Sequence, residues 1–507
     1  METLKYFQQE IAFLRNSVED FSQTYPEVAH ELKLSAGRSN DPHVEQLLQS
    51  FAYLTGELRR DLQLQESQVT HQLLHSLYPN LMRSLPCMAI LQAEVDTDGA
   101  NFINGAELKK GQVFIAHAQQ GEQGGKLQCR FQCSYDTPLW PFAINNIQVM
   151  AKNVYDSLEK SDDVQAVISV SVQNLGMDPL YQYPLDRLRL YIDNLPERNR
   201  LYQLLVDKLS GVAIKIGGRI IRLQQAELSW LGFAKDENVL PDQGEHDAYR
   251  LLQEYFSFKE KFYFFEVNGL DIDQDVEQFE LLFLLDEPCA SIQVSNSSLA
   301  INCFPAINLY QKSFKPIQLD QTQSEYRLIA DESQYLYTEV QSISQVRSIA
   351  SDGQSRTVLP WLASSPEADA IFHTSRLLPL LKAGEPGCDT SISIFDPALS
   401  AEQIVDQTLS IKGWCNNRRL PEWLRAGDAL QPVGVSPMSV ARLMSPPTAF
   451  KGARLEAKHS MKLLSQLHLN SQSLAQGQAS LSALKSLLYL YCDPSVAAHT
   501  RQLQGLL

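Results

Sequence analysis

The stretch Asp41–Leu62, DPHVEQLLQSFAYLTGELRRDL, decides how the first part of the chain is read. Its opening Asp41, His43 and Glu45 are residue types that ligate metals. They also suit the first turn of a helix: Asp41 is a natural N-cap, Pro42 a natural first helical residue, and Glu45 is favoured by the positive end of the helix dipole. Side chains at i and i+2 diverge on a helix, so the three do not converge on one ion and capping is the preferred reading. Beyond the cap, Leu47, Phe51, Leu54 and Leu58 recur four, three and four residues apart, a narrow heptad seam.

The same spacing runs through the residues before it. Leu4, Phe7, Ile11, Leu14, Val18 and Phe21 form a first seam, and Tyr25-Pro26 ends that helix because a residue before proline avoids the α region. A third helix is expected over Val69–Leu77, stopping before Pro79. Each Leu or Phe is worth about 1.5–3 kcal/mol when fully buried, so the seams need cover. Period alone leaves two covers open: a three-helix bundle closed on itself, or helices of other chains. The second suits a narrow stripe attached to a largely β protein, and it marks Phe7, Leu14, Phe21, Leu47, Phe51, Leu54 and Leu58 as candidate interface residues.

After Pro86 the period changes to two. CMAILQAEV, QVFIAHA, VQAVISVSV, RLRLYID, VAIKI and KFYFFEV read as strands, interrupted by helices at ERNRLYQLLVDKL and EHDAYRLLQEYF. TEVQSISQV, SISIFD and IVDQTLSIKGW belong to a second β block, and QPVGVSPMSVARLMSPPTAFKG reads as an irregular wrapping segment. Leu481, Leu484, Leu488 and Tyr491 return to helical spacing. The expected fold class is α+β: an N-terminal helical bundle segment (1–85), two mostly β domains (86–320 and 321–457) and a C-terminal helical segment (458–507).

The 507 residues exceed one ordinary core. A net charge of -16 opposes binding to phosphate backbones, so no nucleic-acid partner is expected. The longest nearly apolar run, Phe279–Leu285, is far short of the roughly 20 residues of a membrane helix, and METLKYFQQE lacks a secretory pattern. The scattered cysteines, with only Cys129 and Cys133 close, fit reduced thiols in a cytoplasmic protein.

The chemical motifs are near misses. His71 and His75 have the i, i+4 spacing of zinc ligands, but Gln72 stands where a zinc hydrolase needs its glutamate. GEQGGKL at Gly121 lacks the spacing and hydroxyl of a phosphate-binding loop. DIDQDVEQFE at Asp271 starts like a calcium loop but has Val276 and Leu282 at its obligatory glycine and glutamate positions. Neither G-x-S-x-G nor a dinucleotide fingerprint occurs. No catalytic residue, metal or cofactor is therefore expected. The alternative enzyme would be a cytosolic metal-dependent hydrolase using His71, His75 and a distant carboxylate.

Several motifs together resemble the TssF family of type VI secretion baseplate subunits. YFQQEIAFLRNSVEDFSQTYPEVAHEL resembles the family's opening helix and its Tyr-Pro, and the quoted helix and LLHSLYPNLMRSLPCMAILQ resemble the elements that follow, with Cys87 at a usual serine. INCFPAINLYQKSFKPIQLDQTQSEYRLIAD, WCNNRRLPEWL, LLSQLHLNSQSL and ALKSLLYLY continue the resemblance in order to the C-terminus, most weakly over about Asp96–Asp271. The resemblance implies a structural wedge component. It would assemble with TssG, two TssF copies to one TssG, around a VgrG hub as a platform for tube and sheath, with TssK and TssE as further partners. It would be cytoplasmic, docked at the inner-membrane complex without insertion. A wedge subunit of a contractile phage-tail-like particle is the nearest alternative. Two copies in unlike environments imply hinges at ELKLSAGRSN and near Arg83–Pro86.

Overall fold

The computed structural model describes residues 2–505, except 32–33, 36–37, 40, 78, 98–101, 120–124, 156–162, 194–196, 224–227, 243–246, 271, 273, 289–291, 320–322, 351–352, 362–369, 381, 383–384, 397–406, 435, 454–477 and 493–495; within its helices and strands, the side chains of 2–5, 34–35, 38–39, 60–73, 75–77, 478–480 and 483 also fall outside the description. The chain forms two compact units. One comprises residues 1–78 and 454–487, the other 79–453 and 488–507.

In the first unit, α1 (Glu2–Thr24) ends before Tyr25-Pro26 as expected, and Pro26 opens a short α2 (Pro26–Glu31). Helix α3 runs unbroken over Pro42–Leu77. The separate third helix expected at Val69 is thus a correction: RRDLQLQESQ consists mostly of good helix formers without Gly or Pro, so nothing stops propagation. At about 1.5 Å per residue, the 36 residues of α3 make a rod of roughly 54 Å. Its start is capped as the sequence suggests, with Asp41 Oδ1 accepting from the His43 N–H at 3.0 Å.

The second unit is built on three β assemblies. A five-stranded sheet, in the order Arg219–Arg222, Leu209–Ile216, Gln278–Leu285, Ala166–Asn174, Phe142–Ala151, shares a core with a four-stranded one, Leu228–Trp230, Phe264–Asn268, Arg187–Ile192, Leu299–Ile301. The apolar run Phe279–Leu285 is the central strand of the first sheet, buried on both faces at Leu281–Leu285. Phe265 and Phe283 meet between the sheets at 5.9 Å.

A closed six-stranded barrel follows the order Cys303–Ile307, Met88–Val95, Met438–Leu443, Ala429–Pro432, Val113–Gln119, Lys126–Cys133. Segments on both sides of residue 320 therefore build one core, with Phe114 against Phe304 at 5.3 Å. The stretch expected to wrap irregularly supplies two of these strands. Gly434, with φ of 89°, turns the chain between them, and Met438, Val440 and Ala441 are buried. The third assembly is a curled sheet, Tyr310–Ser313, Gln407–Asn416, Glu339–Ala350, Ser355–Pro360, Ile371–Pro379, Cys388–Phe395, Tyr326–Arg327, filled by Val346, Val358, Ile392, Leu409 and Ile411.

Helices decorate this unit. The expected helices appear as α5 (Arg198–Asp207) and α6 (Asp247–Ser257), after a short α4 (Pro79–Met82). Of the C-terminal helices, α7 (Gln478–Tyr491) lies mostly in the first unit and α8 (Ala497–Gln504) in the second, where its His499 stands edge-on to Phe256 of α6 at 5.3 Å. The link Arg83–Pro86, expected to hinge, carries hydrogen bonds in this conformation. Leu85 exchanges backbone hydrogen bonds with Lys451, Gln341 Nε2 donates to the Ser84 carbonyl at 2.9 Å, and the Ser84 hydroxyl accepts from the Ala453 N–H at 2.9 Å. No helix among the described residues is long and apolar enough to cross a membrane.

Candidate protein-interaction site

Helices α1 and α3 pack antiparallel, since Phe7 lies against Gly56 while Arg15 pairs with Glu45 at 3.1 Å. The face of α3 turned to α1 is made of small residues. Ala52 and Gly56 are buried, and a Cβ on Gly56 would stand 3.1 Å from the Phe7 backbone nitrogen. Arg59 reaches Glu10 at 2.5 Å, closing the hairpin with a second ion pair. Glu45 is thus a bridging carboxylate, and His43 is exposed.

This choice of face leaves the large apolar residues outside. Leu47, Phe51, Leu54 and Leu58 are 71%, 57%, 63% and 61% exposed, and Phe21 is exposed beside Tyr25. Phe7 and Leu14 are half-buried on α1. The seven candidate residues therefore divide: two belong partly to the hairpin's own packing, and five form open apolar surface.

The second unit holds a different set of motif residues together, by buried polar bonds. Asn417 Oδ1 accepts from the Arg130 N–H at 3.1 Å and from Asn308 Nδ2 at 2.9 Å, and its own N–H donates to Asn308 Oδ1 at 2.6 Å. Its Nδ2 donates to the Tyr310 hydroxyl at 3.3 Å and the Tyr337 carbonyl at 3.4 Å. This ties the barrel to the curled sheet.

Next to it Arg418, in the left-handed region at φ 49°, aligns Nε with Glu339 at 3.4 Å and Nη2 with Asp389 at 3.3 Å. Asp389 also receives Arg327 and the Tyr335 hydroxyl. Burial pushes the Glu339 carboxyl up from its ordinary range, against the pull of Arg418. The Cys87 thiol donates to the Arg418 carbonyl at 3.5 Å, a bond that a serine hydroxyl would also make. So INCFPAINLY, SEYRLIAD, LMRSLPC and WCNNRRLP, distant in the chain, converge here. Sequence reasoning quoted these motifs without giving them a role. The available signal was the run Asn416-Asn417-Arg418, polar residues directly following a buried strand.

The calcium-like acids Asp271 and Asp273 lie outside the described residues, as do Gly121–Gly124 and the side chains of His71 and His75. Among the described residues no cluster of three or more His, Cys, Asp or Glu is grouped to hold a metal. The seven described cysteines are free and buried, and burial pushes the Cys129 and Cys133 thiols up to about 12.

Comparisons with known proteins agree with this architecture. The type VI secretion system component TssF1 of Pseudomonas aeruginosa PAO1 is 27% identical over 99% of this chain and 85% of its own length. A chain of the type VI secretion TssK-TssF-TssG baseplate subcomplex, seen by cryo-electron microscopy, shares the fold with a TM-score of 0.73 at 23% identity, over 92% of this chain and 84% of that one. A chain of the type VI secretion baseplate complex shares it with a TM-score of 0.61 at 20% identity, over 100% of this chain and 86% of that one. The family model described as "Type VI secretion system, TssF" matches residues 1–507, and the chain belongs to that family.

Proposed function

We propose that this chain is a structural component of a type VI secretion baseplate, with no reaction of its own. It works in the cytoplasm as a wedge subunit, two copies with one TssG, grouped around a VgrG hub and docked at the inner-membrane complex. TssK and TssE are its further neighbours, and the tube and sheath are built on the assembled platform. Family membership supports the secretion-system role, and the similar chains belong to baseplate complexes, one of them a subcomplex with TssK and TssG.

The observation that carries the reading is the open stripe Leu47, Phe51, Leu54 and Leu58. A contiguous exposed apolar stripe on a long helix marks a surface made to be covered by another helix. Full burial of the four is worth about 6–12 kcal/mol before the cost of association, of which only the surplus appears as affinity. Replacing all four with Asp is expected to abolish co-purification with a co-expressed TssG-type partner, while far-UV circular dichroism and the melting of the isolated chain stay close to wild type. Undiminished co-purification with the fourfold variant would mean that the stripe is not the contact.

A further inference from the structure

Among the described residues the methionines divide sharply by exposure. Met82, Met88 and Met438 are buried, Met150 and Met444 are half-buried, and Met177 is 79% exposed. The Met150 sulfur also accepts from the Tyr155 hydroxyl at 3.5 Å. An apolar side chain set singly in water needs no explanation, but Met177 is not alone, because Leu175 and Tyr181 of the same loop are exposed with it.

The loop that carries it joins the strand Ala166–Asn174 to the turn Leu180–Gln182 and is stitched by its own hydrogen bonds. Asn174 Oδ1 accepts from the Gly176 N–H at 3.0 Å and its Nδ2 donates to the Asp178 carbonyl at 2.8 Å, so one side chain brackets the tip. The Leu175 N–H donates to the Pro141 carbonyl at 2.7 Å, and Leu180 is buried on the far side of the tip. A Cβ on Gly176 would collide with the buried Tyr183 hydroxyl, so the loop lies close against the core at that point. None of these contacts uses the Met177 side chain. Other residues hold the loop, and the chemistry of the thioether is separable from folding.

We propose that Met177 is a reversible oxidation site, with hydrogen peroxide or a related peroxide as its oxidant. A sulfur lone pair attacks one peroxide oxygen, and the S–O bond forms as the O–O bond breaks. Two electrons pass from sulfur to peroxide, and the departing hydroxide takes the proton left on the transferred oxygen. The products are methionine sulfoxide and water. Oxidation turns a flexible apolar side chain into a polar, chiral one, and methionine sulfoxide reductases reverse it, one enzyme for each sulfoxide epimer. Exposure serves both directions, because oxidant and reductase must each reach the sulfur in the folded chain. At Met82, Met88 or Met438 the same change would set a polar group in a packed interior, where it costs stability. At Met177 the polarity of the loop tip changes while the fold stands. The site lies in the other compact unit from the α3 stripe and does not depend on the assembly reading.

Peptide mapping by mass spectrometry, after brief treatment of the full chain with hydrogen peroxide, tests it. Met177 is expected to oxidise at least about tenfold faster than Met82, Met88 and Met438, since a buried sulfur reacts only in the small fraction of molecules that open locally. Chain in which Met177 is mostly converted should melt at the same temperature as peroxide-treated Met177→Leu, in which that event is absent and the rates at the buried methionines are unchanged. The two reductases with a dithiol should return Met177 to the thioether. Equal rates at Met177 and the buried methionines overturn the proposal, as does a melting temperature that falls in the treated wild type but not in treated Met177→Leu, or a sulfoxide that neither reductase removes.

Discussion

An asparagine side chain offers two donor and two acceptor positions, and burying it is tolerable when all four are used. Asn417 uses all four, and its partners sit on the barrel, on the curled sheet and on the segments between them. Asn417→Ala strands several of these groups at once and is expected to cost about 3 kcal/mol, read as a lowered midpoint in urea unfolding of the purified chain. Asp331 makes a different kind of claim. Lys312, Ser333 and the Gln334 N–H hold its carboxyl down to about 2. A depressed carboxylate adds stability that is present above the unfolded value of about 3.9 and is lost as pH falls. The gap in urea midpoint between wild type and Asp331→Asn should therefore be constant above about pH 5 and narrow as pH drops from about 4 toward 2. A gap independent of pH would sink the assignment. The sequence marked Asp331 only as part of a motif, because Lys312 lies 19 residues away, on the strand Tyr310–Ser313. Asp41 was readable, since its partner is two residues on.

At the scale of the element, helix α3 carries two stripes, and the sequence showed one. The seam Leu47, Phe51, Leu54, Leu58 stands out by hydropathy, whereas Ala52 and Gly56, which make the contact with α1, look unremarkable on a helix and Gly56 even looks like a weakness. The structure explains the glycine through distance: there is no room for a side chain beside the Phe7 backbone. Gly56→Leu is expected to force α1 and α3 apart and to destabilise the hairpin by about 1–3 kcal/mol, as overpacking does. Leu54→Ser, at an exposed position, should change the stability of the isolated chain by no more than about 0.5 kcal/mol. Hydrogen exchange of α1 amides measures both. Faster exchange in the Leu54 variant than in the Gly56 variant would reverse the assignment of the two stripes. The extent of α3 was misjudged for a related reason. Seams were used to delimit helices, but RRDLQLQESQ continues on propensity with few apolar residues.

Across the whole molecule, strand order is what sequence reading missed. Local alternation marked Met88–Val95 and Val113–Gln119 as strands, because each carries its own period-two signal. It said nothing about what lies between them in the barrel, where the register pairs Val95 with Met438 and Ile115 with Gln431. Such pairings close loops of more than three hundred residues, leave no trace in any window of sequence, and form slowly for the same reason. The two short strands that make them, Ala429–Pro432 and Met438–Leu443, contain or border Pro and Gly and so resembled an irregular wrap. Their place in the order makes them indispensable, since without them Met88–Val95 and Val113–Gln119 each lose a neighbour and the barrel gains two open edges. A chain stopped after Arg425 is therefore expected to accumulate as insoluble protein. Any soluble fraction should bind a hydrophobic dye and be cut by protease within residues 88–133, a region that stays resistant in the full chain. Solubility and protease resistance equal to the full chain would show that the barrel closes without them.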